Sequence, residues 1–402
     1  MAYTETTTTG WGERLGNSIK GIVTGLVLIV VGTVLLWWNE GRTFKTAGAI
    51  GEAQMLAEDV ADISKADPAL SGKVIHATGH ADTKDVLRDP IFGIETTAIR
   101  LEREVEYYQW EEESQSETRK KLGGGEETVT TYTYKQDWNS SPIDSGSFHD
   151  PRYRGVNTVL ANIEDESQWA PHVTFGAYTL PDSLKHSISG AMPMTLTSVD
   201  AVAVTGTFNI TPDNDSWRLY YGNVSADKLI HVSGSTVYLG REPGSPKVGD
   251  VRITFKQVPP ADVSIIARVI RDTFEPYIAT NGYTFIRLDM GTVSKEQMFA
   301  DAKSGNNFMA WVLRLIGLLV VAAGIGAVLS PLSVLADVIP LLGDIVGAGV
   351  SLVAFLLGLA WSCIVIAVAW VRFRPIVAGC LLAAAAVLIG FLFLKGRRKT
   401  AQ

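Results

Sequence analysis

The stretch GIVTGLVLIVVGTVLLWW at residues 21–38 decides how the rest of the chain is read. It carries no charge over 18 residues. A bilayer core about 30 Å thick takes a helix of roughly 20 apolar residues. A cleaved signal peptide is the rival reading, but its apolar core is shorter, about 7–15 residues. No small-residue cleavage site lies close to Trp37-Trp38-Asn39-Glu40. Paired Trp at the end of an apolar run fits an interfacial anchor. The stretch is expected to be an uncleaved signal anchor. Gly21 and Gly25 form a small-xxx-small pair on which another helix could close.

Three more apolar runs lie at 311–329, 345–371 and 375–394. The fold class expected is a membrane protein: four transmembrane α-helices with a large strand-rich α+β extramembrane domain between the first and second spans. The divisions are a cytoplasmic N-terminus at 1–20, a first span at 21–38 and a domain at 39–305. A divide into two subdomains is open near 150–195. A second span follows within 306–330, an interfacial or re-entrant segment at 331–344, spans at 345–371 and 375–394, and a basic tail at 395–402. Of 402 residues, 47% are hydrophobic and 19% charged, and the four runs account for that low charge. The net charge is -7 although the C-terminus is basic. The domain is therefore acidic, which argues against nucleic acid as a partner.

Lys395-Gly396-Arg397-Arg398-Lys399 places the C-terminus in the cytoplasm. An even number of spans then places the N-terminus there too, and the domain on the non-cytoplasmic side. Arg372 and Arg374 run against this trend. Glu40, beside Arg42 at the end of span one, shares their face and is a candidate partner. On the other face Asp337 and Asp344 are candidate partners for Lys395 and Arg397. Arg314, near the start of span two, is expected to snorkel to the interface.

Within the domain, residues 46–63 read as a helix leading out of the membrane. Ile99, Leu101, Val105 and Tyr107 alternate with Arg100, Glu102, Glu104 and Glu106, a half-buried strand. It continues into a long hairpin with a charged, mobile connection around Gly123–Gly125 and a Thr/Tyr-rich return. Further strands are expected at 73–79, 173–180, 201–208, 236–240, 251–258, 263–270 and 283–288. Ser294 and Gln297 form a capping box opening a helix that runs into span two.

The chain carries no Gly-rich phosphate loop with Lys, no His-Glu-x-x-His and no Gly-x-Ser-x-Gly. The two cysteines, Cys363 and Cys380, both lie in spans, so the domain has no disulfide or zinc–thiolate site. His76, His80 and Asp82 are the one weak metal candidate; imidazoles four apart share a strand face, but real sites take three or four ligands. Glu111–Glu113 with Glu126 and Glu127 read as solvated loop ahead of a cation site. Tyr107, Tyr108, Trp110, Tyr132, Tyr134 and Trp138 read as cross-strand packing ahead of a ligand platform. Asn139, Asn209, Asn214 and Asn223 open glycosylation triplets, usable only in a cell that glycosylates. No cofactor is expected.

Six motifs follow one another in a familiar order: Asn39-Glu40-Gly41-Arg42, Tyr108-Gln109-Trp110, Tyr132-Thr133-Tyr134 leading to Trp138, Val248-Gly249-Asp250-Val251-Arg252, Asp337-x-x-Pro340-x-x-x-Asp344 and Arg374-Pro375. In these the chain resembles the LUMA family of four-span membrane proteins, from about residue 37 to 376, with a departure at 155–235. The resemblance implies an N-terminal span, a large non-cytoplasmic domain and three C-terminal spans. It also implies a non-enzymatic organiser, which in animals sits in the inner nuclear membrane and endoplasmic reticulum. The Ala/Gly/Val-rich spans point to a prokaryotic member, which would sit in the plasma (inner) membrane. The expected function is a scaffold that assembles with itself or with other membrane proteins, its partners being the bilayer and those proteins. The alternatives are a sensor whose domain binds a small ligand or lipid, and an enzyme with an undiagnosed site.

Overall fold

A computed structural model describes residues 2–159, 161–199, 204 and 226–376. Residues 377–394 of the expected fourth span lie outside the described residues, with Cys380, Lys395 and Arg397. So do the triplets at Asn209, Asn214 and Asn223 and all but residue 204 of the expected strand at 201–208.

Three described helices are long and apolar enough to cross a membrane: α1 at Trp11–Leu56, α2 at Lys295–Ala336 and α3 at Pro340–Phe373. At 1.5 Å per residue α1 is about 69 Å long, more than twice a hydrocarbon core of about 30 Å. Its upper part is the helix expected separately at 46–63. That helix stops at Leu56, because residues 58–60 are needed as a strand and Ile63 enters the domain core. Ser294 caps α2 as expected, its hydroxyl accepting from the Gln297 N–H at 3.3 Å. The Gln297 side chain turns forward to Asp301 instead of back to the cap. No separate element stands at 331–344: α2 continues through Pro331 to Ala336, the chain turns, and α3 opens on Pro340, where a missing N–H costs nothing.

α1 and α2 run antiparallel with their backbones in contact. A Cβ on Gly25 would stand 2.6 Å from the Gly324 carbonyl, and one on Gly324 would stand 2.7 Å from the Gly25 carbonyl. Gly32 faces Val321, and Gly317 faces Leu36. Gly25 and Gly32, two helical turns apart, thus meet Gly324 and Gly317. Gly21 touches nothing within 4 Å. Of the pair expected to invite another helix, Gly25 is spent inside the chain and Gly21 is not.

The domain holds two sheets. The strands needed below are β1 at Ala2–Thr9, β2 at Glu58–Val60, β3 at Val74–Asp82, β4 at Arg100–Lys120 and β5 at Glu126–Asn139, then β6 at Ile230–Ser233, β7 at Thr236–Leu239, β8 at Val251–Val258, β9 at Ala261–Ile270 and β10 at Arg287–Met290. One sheet runs β1-β5-β4-β8-β7-β6. The other contains β10, β9, β3 and β2 as neighbours, extended by two- and three-residue strands. Each sheet joins strands from before 150 to strands from after 195, and Ile75, Leu101, Val105, Ile253, Phe255 and Ile265 meet in one core. The two halves therefore fold as one body. The strand expected at 173–180 is a tight hairpin of two short strands, turned at Gly176 with φ +61. Any side chain there would strike the Ile63 carbonyl.

The hairpin of β4 and β5 leaves the sheet at Tyr107 and continues as a two-stranded ribbon, made three-stranded by β1. Its turn, expected to be mobile, is anchored at the far end of the helices. Gly123 N–H donates to the Val338 carbonyl at 3.2 Å, and Trp11 Nε1 donates to Val334 at 2.9 Å. The pairing of Thr9 with Glu126 joins the segment expected as a cytoplasmic N-terminus to a ribbon that grows from the domain.

Overpacking a well-packed seam costs about 1–3 kcal/mol, and the backbone here cannot withdraw without separating the helices. Gly324→Leu is expected to lower the melting temperature of the detergent-solubilised chain sharply, whereas Gly21→Leu leaves it unchanged. Equal effects would show that the seam does not hold the helices.

Candidate functional site

The helix bundle is fastened at two levels by polar residues. The upper level is the Asn39-Glu40-Gly41-Arg42 junction. Glu40 is 1% exposed. Arg314 donates to it through Nε at 2.6 Å and Nη2 at 2.9 Å, and Trp370 Nε1 donates at 2.8 Å. A bidentate guanidinium–carboxylate pair is among the strongest polar contacts available away from water. Trp311 lies beneath the Arg314 guanidinium, 4.9 Å from its ring centroid. Asn39 reaches α2, donating to the Ala310 carbonyl at 3.0 Å, and Asn306 reaches back to the Thr43 carbonyl at 3.0 Å. Gly41 makes room for the Phe373 ring of α3. The junction motif is thus a joint of three helices. Where Arg372 or Arg374 was expected beside Glu40, Arg314 stands. Its guanidinium is taken up by Glu40 of α1. Arg42 contacts Thr43 at 3.5 Å.

The lower level gathers charges from three distant segments. Asp337, 2% exposed, accepts from Arg14 at 2.5 Å and from Lys120 at 2.7 Å. Lys120 also pairs with Asp344 at 2.9 Å, and Arg14 with Glu126 at 2.7 Å. The ring of Trp11 lies against Gly124, whose φ of +81 and missing Cβ admit it. Asp337 and Asp344, spaced seven apart, were expected to meet Lys395 and Arg397. Among the described residues they share Lys120 from the ribbon. Nothing in the local sequence singles out Lys120, which is one of three consecutive cations, Arg119-Lys120-Lys121, at the end of β4.

The metal candidate comes apart. His76 and His80 each face an acid from the neighbouring strand: Asp59 at 2.8 Å and Asp262 at 2.7 Å. The second ring nitrogen of His76 meets the Val293 carbonyl at 2.9 Å. Asp82 binds the Thr83 N–H. Among the described residues no three metal-ligating side chains come together. The acidic run is likewise partnered: Glu111 and Glu113 with Lys135, Glu112 with Tyr134 and His149, and Glu127 with Lys121. The aromatic group is packed on itself and its neighbours. Tyr108 meets Trp138 at 5.3 Å, Trp110 meets Tyr153 at 4.8 Å, Tyr132 stacks on His149, and Tyr134 stacks on Tyr153. Tyr107 donates to the Ile163 carbonyl, and Trp138 carries the Arg252 guanidinium at 4.4 Å. One buried pair went unread in the sequence: Arg103, at an inward position of β4 between Leu101 and Val105, pairs with Asp89.

Removing one member of a buried pair costs about 3–5 kcal/mol, because the other is left without compensation. Arg314→Met is expected to destabilise the chain by about that amount in denaturant titration, and Glu40→Gln combined with Arg314→Met by clearly less. A double variant as weak as the single one would remove the pair as the fastening. A second test concerns acid. The Lys295 ammonium, hydrogen-bonded at 2.5 Å, holds the Asp59 carboxyl below its ordinary value of 3.8. A carboxyl lowered by folding stabilises the fold above its unfolded pKa and loses that contribution as pH falls through the folded one. Melting temperature is therefore expected to fall more steeply below about pH 3.8 in the wild type than in Asp59→Asn; parallel profiles would count against the contact.

A family model described as Transmembrane protein 43 matches residues 107–375. The chain is 28% identical to transmembrane protein 43 of Rattus norvegicus over 385 residues, 92% of this chain and 90% of that protein. It is 27% identical to the Homo sapiens protein of that name over 398 residues, 96% and 92% of the two chains. Its identity to the Drosophila melanogaster homolog is 26% over 375 residues, 90% and 91% of the two chains. No solved structure matches the chain.

Proposed function

Because this chain belongs to the transmembrane protein 43 family, the LUMA family whose motifs it carries, we propose that it is a non-enzymatic membrane organiser, assembling with itself or with other membrane proteins. The ribbon carries this reading. From Tyr107 to Lys120, β4 extends roughly 43 Å at 3.3 Å per residue. From Arg14 to Glu40, α1 rises roughly 39 Å. The ribbon leaves the domain above and ends at Arg14 and Asp337 below, so it runs the height of the helices that cross the bilayer. Its strands read AYTETTTT, WEEESQSETRK and EETVTTYTYK, polar on both faces. Beyond Trp110, whose backbone is bonded by Asn157, no strand among the described residues pairs with the outer edge of β4, and none pairs with the outer edge of β1. Hydrocarbon cannot solvate open strand edges; protein or enclosed water must. A chain that needs neighbours to complete it at bilayer depth is built for assembly.

The accompanying topology has four spans, the fourth at 375–394, with both termini cytoplasmic and the domain outside the cytoplasm. In a prokaryote the membrane is the plasma (inner) membrane; in a eukaryote it is the endoplasmic reticulum or inner nuclear membrane. A second reading, a sensor whose domain binds a small ligand or lipid, is favoured by α1 and α2. They pass from bilayer to domain without a break and would carry any tilt of the domain to the spans.

The test is the mass of the full chain in lipid nanodiscs and its crosslinking through Thr6→Cys on β1, with Cys363 and Cys380 replaced by Ser. The organiser predicts a defined oligomer or a crosslinked membrane partner at the ribbon. A monomer at all concentrations, with the ribbon cysteine freely open to a water-soluble thiol reagent, would overturn it.

A further inference from the structure

His76 stands where both long helices join the domain. It lies on β3, beside the strand β2 that follows α1 directly, and it reaches the entry of α2. The residue is buried, 9% exposed, and both ring nitrogens face oxygen. Nδ1 lies 2.8 Å from Asp59 Oδ1. Nε2 lies 2.9 Å from the carbonyl of Val293, the residue before the Ser294 cap of α2. Among the described residues no other histidine has an oxygen on each ring nitrogen.

Neither oxygen can donate. A backbone carbonyl only accepts, and so does an ionised carboxylate. The Lys295 ammonium, 2.5 Å from the other Asp59 oxygen, holds that carboxyl below its ordinary value of 3.8 and so keeps it ionised. A neutral imidazole has one N–H and one lone pair. It satisfies one of the two contacts and turns a lone pair on the other oxygen, whereas the imidazolium donates to both. The geometry is complete only with the second proton on the ring. A hollow of about 270 Å³, lined by Asp59, Val60, Ala61, His76 and Thr78, opens beside the ring. Asp59 and Ala61 are exposed, so water reaches the site and the proton can come and go.

The other charges of the surrounding elements are engaged elsewhere or exposed. β9 sets Ile266 opposite His76; its own Asp262 binds His80 at 2.7 Å and its Arg268 binds Glu275 at 2.9 Å. Beyond Ile266, on β10, Arg287 pairs with Asp289 at 2.6 Å. Glu58 of β2 pairs with Lys73 at 2.9 Å, Glu52 of α1 binds Thr280 at 2.6 Å, and Glu296 of α2 is exposed. Asp59, with Lys295 behind it, is the charged group that meets the ring.

We infer that His76 is a proton-operated clasp between the domain and the helix that leads into the second span. Charged, it ties β3 to β2 and to the entry of α2 at once. When the ring loses a proton, the N–H that remains stays with the carboxylate, the stronger acceptor. The Val293 carbonyl then faces a lone pair, and the entry of α2 loses its tie to the sheet. Lys295 still joins α2 to Asp59 and, at 3.3 Å, to the Ala57 carbonyl, so the joint loosens without coming apart. A tie that needs a bound proton is present at low pH and lost as pH rises. Histidine is the side chain that ordinarily changes charge between about pH 5 and 8. Acidification of the compartment around the domain therefore stiffens its hold on α2. The clasp works alike in a single chain and in an assembly.

The experiment is hydrogen exchange of the full chain in lipid nanodiscs at about pH 5.5 and about pH 8, read by mass spectrometry and corrected for the intrinsic effect of pH on exchange. In the wild type, protection of residues 293–299 is expected to fall about tenfold at the higher pH, as one buried hydrogen bond is lost. His76→Gln is expected to hold the lower protection at both pH values. Asp59→Asn is expected to hold the higher one, because an amide can donate to Nδ1 and leave a neutral ring free to donate to Val293. Protection of residues 293–299 that does not change with pH in the wild type would overturn the clasp, as would a change that survives either substitution. The wild type alone also decides between histidines. A change confined to the segments of Asp59, His76 and Val293 supports the clasp, and one centred on His80, His149 or His172 overturns it.

Discussion

The backbone contact between α1 and α2 is the constraint on which the other features rest. Four glycines let two long helices approach until carbonyl oxygens meet the opposing Cα positions. Helices that close cannot slide or rotate against each other without a clash, so their polar residues come to fixed places. Asn39 then faces Ala310, Glu40 faces Arg314, and the lower ends present Arg14 and Asp337 side by side. In hydrocarbon there is no hydrophobic drive to bring helices together, so packing of this kind and a few buried polar contacts must supply it. The seam supplies the register, and the polar contacts above and below fasten it.

Much of this was legible in the chain. Apolar runs revealed the spans because a bilayer imposes a length and a composition that little else imposes. Alternation at Ile99, Leu101, Val105 and Tyr107 revealed β4, since one face meets the core and the other meets water. Ser294 marked the start of α2 because its side chain can satisfy an end that the helix itself cannot. Other features were hidden for physical reasons. Arg103 is charged and yet buried, because Asp89 accompanies it; a pattern of polarity alone places it outside. The hairpin at 174–179 hides behind a strand-like composition, and only the backbone of Gly176 reverses it. The partner of Glu40 was assigned by shared sidedness, a rule that fixes depth only loosely, and three arginines lie near that depth.

The candidate sites illustrate the same limit. Histidines four apart on a strand do share a face, but each acid of an adjacent strand lies closer than a second imidazole does. His76 and His80 are therefore answered locally, by Asp59 and Asp262. The lower fastening was unreadable for the opposite reason. Lys120 and Asp337 are more than two hundred residues apart, and no local pattern encodes a pairing at that separation.

That separation has a temporal side. β1 is among the first segments made, yet its partner in β5 follows more than a hundred residues later, and Asp337 later still. Contacts so distant in sequence form slowly, since a long loop must close before they stabilise anything. The N-terminal strand must therefore wait unpaired while α1 is inserted and the first part of the domain, up to β5, is synthesised. The far end of the ribbon is tied down only when Val334, Asp337, Val338 and Asp344 have been made, and until then it stays open for pairing with neighbouring chains being inserted into the same membrane.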